Sequence, residues 1–65
     1  MEDAKSRVKA EQLDLQDKIE KLGRFLVSER YYSLSEEHRF LLSQQYGIMM
    51  EYSRVLSRRL VIWDK

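Results

Sequence analysis

The sequence contains no cysteine and no proline, and it has only two glycines in 65 residues. Without cysteine the chain cannot be stabilised by disulfides, and no oxidising compartment is implied. A single histidine without cysteine also excludes the usual zinc-binding frameworks. The lack of proline and the scarcity of glycine leave few positions where a helix must end. We therefore expect a helical chain that is held together by packing, with no metal and no cofactor.

Long apolar segments are also missing. No apolar run approaches the roughly 18 residues that a membrane-spanning helix needs. The first twelve residues, MEDAKSRVKAEQ, lack the apolar core of a secretory signal. The net charge of +1 is too balanced to indicate nucleic-acid binding. We therefore expect a cytoplasmic protein whose partners include neither a membrane nor a nucleic acid.

Two segments show the hydrophobic period of an amphipathic helix, about residues 4–30 and about residues 36–63. The apolar positions of the first segment are Val8, Leu15, Ile19, Leu22 and Leu26. A turn over about residues 31–35 is short enough to make the two helices antiparallel neighbours. The sequence thus predicts an all-α fold, a single helical-hairpin domain over residues 1–65.

The start of the second helix carries a capping signal. Ser35 is a good N-cap, and Glu36 and Glu37 then occupy the positive first turn of the helix. Ser33 with Glu36 offers an alternative capping box one turn earlier. The two adjacent glutamates therefore look like capping residues. Because the chain also has no Ser-His-Asp set, no glycine-rich phosphate loop and no cysteine nucleophile, we predict that it is not an enzyme.

Three rows of residues, each repeating at every seventh position, define the second helix. The first apolar row is Leu41, Ile48, Val55 and Ile62. The second apolar row is Leu42, Met49, Leu56 and Trp63. Between them lies a polar row of His38, Gln45, Tyr52 and Arg59. Because two helices cannot cover both apolar rows, we predict that both rows form an interface in a homo-oligomeric helical bundle. The simplest such bundle is a twofold dimer of hairpins.

The polar row has two interpretations. Its side chains could pair within the bundle and fix the alignment of the helices. They could instead line a ligand site between helices, in which Tyr52 stacks on a base and Arg59, with Arg58, holds phosphate. Gln45 would then form hydrogen bonds with a polar edge of the ligand. That set of side chains suits a nucleotide.

Several stretches of the chain resemble a family of very small proteins encoded by tailed bacteriophages, known as relatives of an open reading frame of a crAss-like phage. The matching stretches are LDLQDKIEKLGRFLVSE and LSEEHRFLL, followed by the spaced residues Gln45, Met49, Tyr52, Val55, Leu56, Arg59 and Leu60. The resemblance extends from about Arg7 to Leu60. It departs at His38, where the family tends to have Glu or Gln. It implies a helical hairpin and no particular activity.

A looser similarity is to small helical phage proteins that act as sponges, such as anti-Thoeris and anti-CBASS proteins. They form oligomers and sequester nucleotide-derived immune signals of the host. The similarity lies in size, helical content, expected self-association and the polar row, so it is an analogy of fold. Our leading hypothesis is a phage-encoded homo-oligomer that sequesters such a signal in the host cytoplasm. The alternative is a protein-interaction module that docks a helix of a host protein on the same apolar and basic face.

Self-association is the first testable consequence. Light scattering should show at least a dimer at micromolar concentration, because a chain of 65 residues is marginal alone and leaves apolar surface uncovered. A well-folded monomer at that concentration would contradict the predicted bundle and any site shared between chains.

Overall fold

The computed structural model describes residues 3–63, and most of these residues lie in helices. Helix α1 spans Ala4–Leu26, α2 spans Glu29–Tyr32 and α3 spans Glu36–Trp63. No strand occurs within residues 3–63. The predicted all-α class is confirmed. The first helix is shorter than expected, because it ends before residue 30 and a separate short helix follows it.

Ser28 is the residue that divides α1 from α2. Its hydroxyl donates to the carbonyl of Phe25 at 2.6 Å and accepts the backbone N–H of Tyr31 at 3.4 Å. Serine side chains compete with helical backbone bonds in this way, which favours a helix end or start over a helix interior. The apolar period continues through Leu26 and Val27, so hydrophobicity alone did not reveal the break.

Ser35 caps α3 as predicted. Its hydroxyl accepts the backbone N–H of His38 at 3.1 Å, and its carbonyl accepts that of Arg39 at 3.0 Å. The alternative cap at Ser33 is wrong, since the hydroxyl of Ser33 donates to the carbonyl of Arg30, three residues earlier, at 2.7 Å and lies at the end of α2.

Asp3 caps the start of α1. Its carboxylate accepts the backbone N–H of Ser6 at 2.8 Å, and this hydrogen bond holds the pKa of Asp3 below its ordinary value.

The two long helices run antiparallel. Gln12 near the start of α1 donates to Ser57 near the end of α3, whereas Gly23 near the end of α1 lies beside Tyr46 in the first half of α3. A Cβ atom at Gly23 would lie only 3.3 Å from the Tyr46 ring, so any larger residue there would require the ring to shift by a few tenths of an ångström. The molecule measures 46 × 18 × 14 Å, which is two helices wide and one helix thick.

The core lies along one seam between α1 and α3. Val8, Leu15 and Leu56 are its fully buried members, and Ile19, Met49 and Leu60 pack against them. On α3 the residues that face this seam alternate three and four positions apart, as in a coiled coil. They are Arg39, Leu42, Tyr46, Met49, Ser53, Leu56 and Leu60. Every other residue of α3 is exposed.

The two apolar rows of α3, which are predicted to share one interface, have different environments in the structure. In the second row Leu56 is 0% exposed, Met49 packs against the core and Leu42 is half-buried, so these three belong to the hairpin itself. The four residues of the first row are between 52% and 66% exposed. Of the two apolar rows, therefore, only the first row and Trp63 remain exposed to another molecule. No helix within residues 3–63 is long and apolar enough to cross a membrane.

Leu56 should therefore dominate the stability of the hairpin. Leu56→Ala should lower the free energy of unfolding by about 3 kcal/mol, because it removes a fully buried side chain and leaves a cavity. Leu13→Ala is the matched control, since Leu13 is 67% exposed and its loss should change stability by less than about 0.5 kcal/mol. Urea denaturation followed by circular dichroism, at equal chain concentrations, measures both. Equal losses for the two variants would contradict the assigned core.

Candidate binding face on α3

The polar row and the first apolar row together form one continuous exposed surface, which we call the open face. Its residues are His38, Leu41, Gln45, Ile48, Tyr52, Val55, Arg59 and Ile62, and all are exposed. Their spacing also alternates between three and four, so they form a second seam about 100° around α3 from the core seam. Packing between α1 and α3 therefore leaves the polar row exposed, although Tyr52 also forms a hydrogen bond with α1.

Tyr52 is anchored at the border of the open face. Its hydroxyl donates to the carboxylate of Glu11 on α1, and the residue stays 44% exposed. The bond holds the ring at the junction of the two helices, where its apolar surface is accessible to a ligand or a second chain. Sequence reasoning did not identify Glu11, because its pairing with Tyr52 depends on the antiparallel alignment of α1 and α3.

The basic end of the open face is formed by Arg58 and Arg59. Both lie one turn from Val55 and from Ile62, on opposite sides of the first apolar row. The guanidinium of Arg59 lies 5.8 Å from the centre of the Trp63 ring. Within residues 3–63 no carboxylate forms an ion pair with either arginine, whereas Arg54 pairs with Glu51 at 2.9 Å. The two arginines thus offer positive charge beside apolar surface.

A shallow surface depression lies next to this basic end. It is lined by Ser57, Arg58, Val61 and Ile62, all from α3. Because one helix supplies every lining residue, the depression is open to solvent and cannot surround a ligand. A second wall must come from another molecule if this end of α3 is to enclose one.

Gln45 and His38 occupy the other half of the polar row. The amide nitrogen of Gln45 lies 3.9 Å from the sulfur of Met49, and the residue remains exposed. Gln45, Tyr52 and Arg59 are separated by about 10 Å each along the helix axis. One chain therefore does not bring the three predicted ligand residues together around a single small molecule. Within residues 3–63 no group of three His, Asp or Glu side chains could hold a metal ion.

Comparison with known proteins identifies the family. The family model described as Sequestin matches residues 2–62, and the chain therefore belongs to the Sequestin family. The family name indicates sequestering of some molecule, which agrees with a sequestering role. The search of curated proteins and the search of solved structures each found no match. The phage origin and the type of ligand stay predictions.

The stability of an Arg59 variant tests whether the polar row maintains the fold. Arg59→Met should change the free energy of unfolding by less than about 1 kcal/mol, because the exposed side chain contributes only a cation–π contact with Trp63. Arg54→Met is the matched control, and loss of its exposed ion pair should have a similarly small effect. Thermal and urea denaturation, with light scattering, measure stability and assembly. A loss above about 2 kcal/mol, with dissociation of the oligomer, would assign the row to helix alignment.

Proposed function

We propose that this member of the Sequestin family is a phage-encoded homo-oligomer that sequesters a nucleotide-derived immune signal of the host. The observation that carries the proposal is the exposure of Gln45, Tyr52 and Arg59 beside an apolar row. Exposed polar groups on a face with apolar neighbours are typical of a ligand site, and the bond between the Tyr52 hydroxyl and Glu11 leaves the tyrosine 44% exposed.

Each polar side chain has a role in this proposal. Tyr52, held by Glu11, stacks on the base. Arg59 holds phosphate through paired hydrogen bonds, and Arg58 adds positive charge from the other side of the apolar row. Gln45 forms hydrogen bonds with a polar edge of the base or sugar. Ile48 and Val55 supply apolar contact between these groups.

Self-association is part of the proposal, since the depression at the basic end of α3 and the one beside Met50 are both open to solvent. A second chain on the open face would provide the missing wall and exclude water from the ligand. It would also cover apolar side chains that a single hairpin leaves in solvent. The chain would act in the host cytoplasm, where such signals are produced.

Sequestration requires no chemical step. A protein that lowers the free concentration of a signal acts through its affinity and its number of sites. The proposal therefore assigns no catalytic residue, and no turnover of the ligand is expected.

The alternative function is inhibition of a host protein by docking one of its helices. It is favoured by the spacing of Leu41, Ile48 and Val55, which matches the seam of a helix pair. A host helix would then occupy the open face in place of a second copy of the chain.

Ligand binding can be tested by thermal shift against a panel of cyclic dinucleotides and ADP-ribose derivatives. At least one compound should stabilise the protein, by about 2.7 kcal/mol at a hundred times its Kd. Tyr52→Leu should weaken binding of that compound about tenfold or more through lost stacking. Tyr52→Phe keeps the ring and loses only the bond to Glu11, so it should bind within a few-fold of the original chain.

Tyr32→Leu is the control for a general effect of removing an exposed aromatic ring, because Tyr32 is 64% exposed and lies on α2, outside the helix that forms the open face. It should leave affinity unchanged. If no compound in the panel stabilises the protein, or if Tyr52→Leu binds normally, the proposed nucleotide site is wrong. A protein-docking module would ignore the whole panel.

A further inference from the structure

The two ends of the open face carry opposite charges that nothing else in the described chain pairs. Glu37 lies in the first turn of α3 and Arg58 in its last third, and both belong to one row that flanks the first apolar row; Arg59 lies on the open face itself. Within residues 3–63 none of these three forms an ion pair. Glu36 lies on the opposite side of α3 and takes no part in this pattern. The ends are about 32 Å apart along the helix, too far for the charges to meet within one chain.

The middle of the helix differs from its ends. Glu51 and Arg54 already pair with each other at 2.9 Å, so the centre of α3 contributes little net charge. At the acidic end Arg39 is half-buried on the core seam and so points away from the open face, and His38 on that face is counted as neutral in the net charge at pH 7. The charge along the open face therefore changes from negative to positive between its two ends.

The apolar residues of the open face suggest a helix as the occupant. Leu41, Ile48, Val55 and Ile62 repeat at seven-residue intervals, and they alternate with the polar row in the three-four pattern of a helix–helix seam. A partner helix must have apolar residues at the same spacing and a charge gradient of opposite direction. The open face of a second copy of this chain, turned end for end, has both properties.

We infer that two chains pair through their open faces with their α3 helices antiparallel, so that the acidic end of each meets the basic end of the other. A parallel pair would instead place like charges together at both ends. The inference rests on the self-association part of the proposed function and names the surface, the partner and its direction.

Antiparallel pairing also completes the candidate ligand site. With Glu37 opposite Arg58 of the partner chain, the twofold axis lies near residues 47–48, so Gln45 of the partner chain lies about 3 Å along the axis from Tyr52. Within one chain these two side chains are about 10 Å apart along the helix. Pairing thus brings together polar side chains that a single chain keeps apart. Arg58, at the border of the seam, meets the partner's acidic end, which leaves Arg59 inside the seam for an anion.

Distances between spin labels test the direction of the pair. The chain has no cysteine, so single labels can be placed at Phe40→Cys, Arg54→Cys and Val61→Cys. These three exposed positions lie on one row of α3, about 100° around the helix from the first apolar row and outside the open face. In the antiparallel dimer with Glu37 opposite Arg58, the labels at 40 and at 54 should each lie about 20 Å along the helix axis from their partner copies, and the label at 61 should lie about 40 Å from its copy. A parallel dimer would give three equal distances and would overturn the inference.

Exchange of the end charges gives an independent test. Glu37→Arg alone and Arg58→Glu alone should each weaken dimerisation several-fold, because each places like charges opposite one another. The double variant should restore dimerisation to within about twofold. An effect on the helix dipole could not produce such rescue. Each substitution places a charge of the unfavourable sign near a helix end, so the double variant would be less stable than either single variant. Glu29→Arg, on α2, is the control and should have no effect.

The outcomes also separate this inference from ligand binding. A monomer, or a double variant that dimerises no better than the single ones, contradicts antiparallel pairing. A monomer further contradicts the self-association that the proposed function includes. Correct label distances with no stabilising compound in the nucleotide panel would retain the antiparallel pair and overturn the nucleotide site alone.

Discussion

The structure depends on one seam between its two long helices. Because α1 and α3 pack mainly against each other in the described part of the chain, each helix buries a single face. The fully buried side chains of the described residues are Val8, Leu15 and Leu56. This core is small even for a short chain, and such chains usually need a further source of stability. Packing at this seam also determines which residues of α3 stay exposed to solvent, and the open face is part of that exposed surface.

The connection between the long helices sets the direction of the hairpin. The Tyr31 hydroxyl donates to the carbonyl of Arg39 at 3.2 Å, and its ring meets the edge of Phe25 with centres 6.2 Å apart. These contacts tie α2 to the start of α3 and to the end of α1. The antiparallel direction of α1 and α3 places Glu11 beside Tyr52, and the hydrogen bond between them connects the middle of the open face to α1. The loop end of the hairpin thus influences a candidate site that is several turns away.

Much of the fold could be predicted from the sequence, and the reasons for the misses are physical. The helical period and the hydroxyl of Ser35 located α3, because both signals are local. The break at Ser28 was missed because its cap interrupts an apolar pattern that continues past it. The two apolar rows could not be told apart, since Leu56 and Val55 are equally apolar and only contact with α1 buries one of them. For the same reason the polar row could be recognised, but its exposure could not be derived.

The alternation of polar and apolar residues on the open face fits the proposed function better than a continuous row of apolar residues would. A continuous apolar face would pair tightly with another copy and leave no group for a ligand to contact. Each polar residue weakens that pairing, and it also interrupts the apolar patch that would otherwise promote aggregation. Arg59 shows the difference most clearly, because Arg54 is neutralised by Glu51 whereas Arg59 has no carboxylate partner among residues 3–63. An unpaired guanidinium beside apolar side chains attracts an anion that has an apolar part. A nucleotide, with its phosphate and its flat base, meets both requirements.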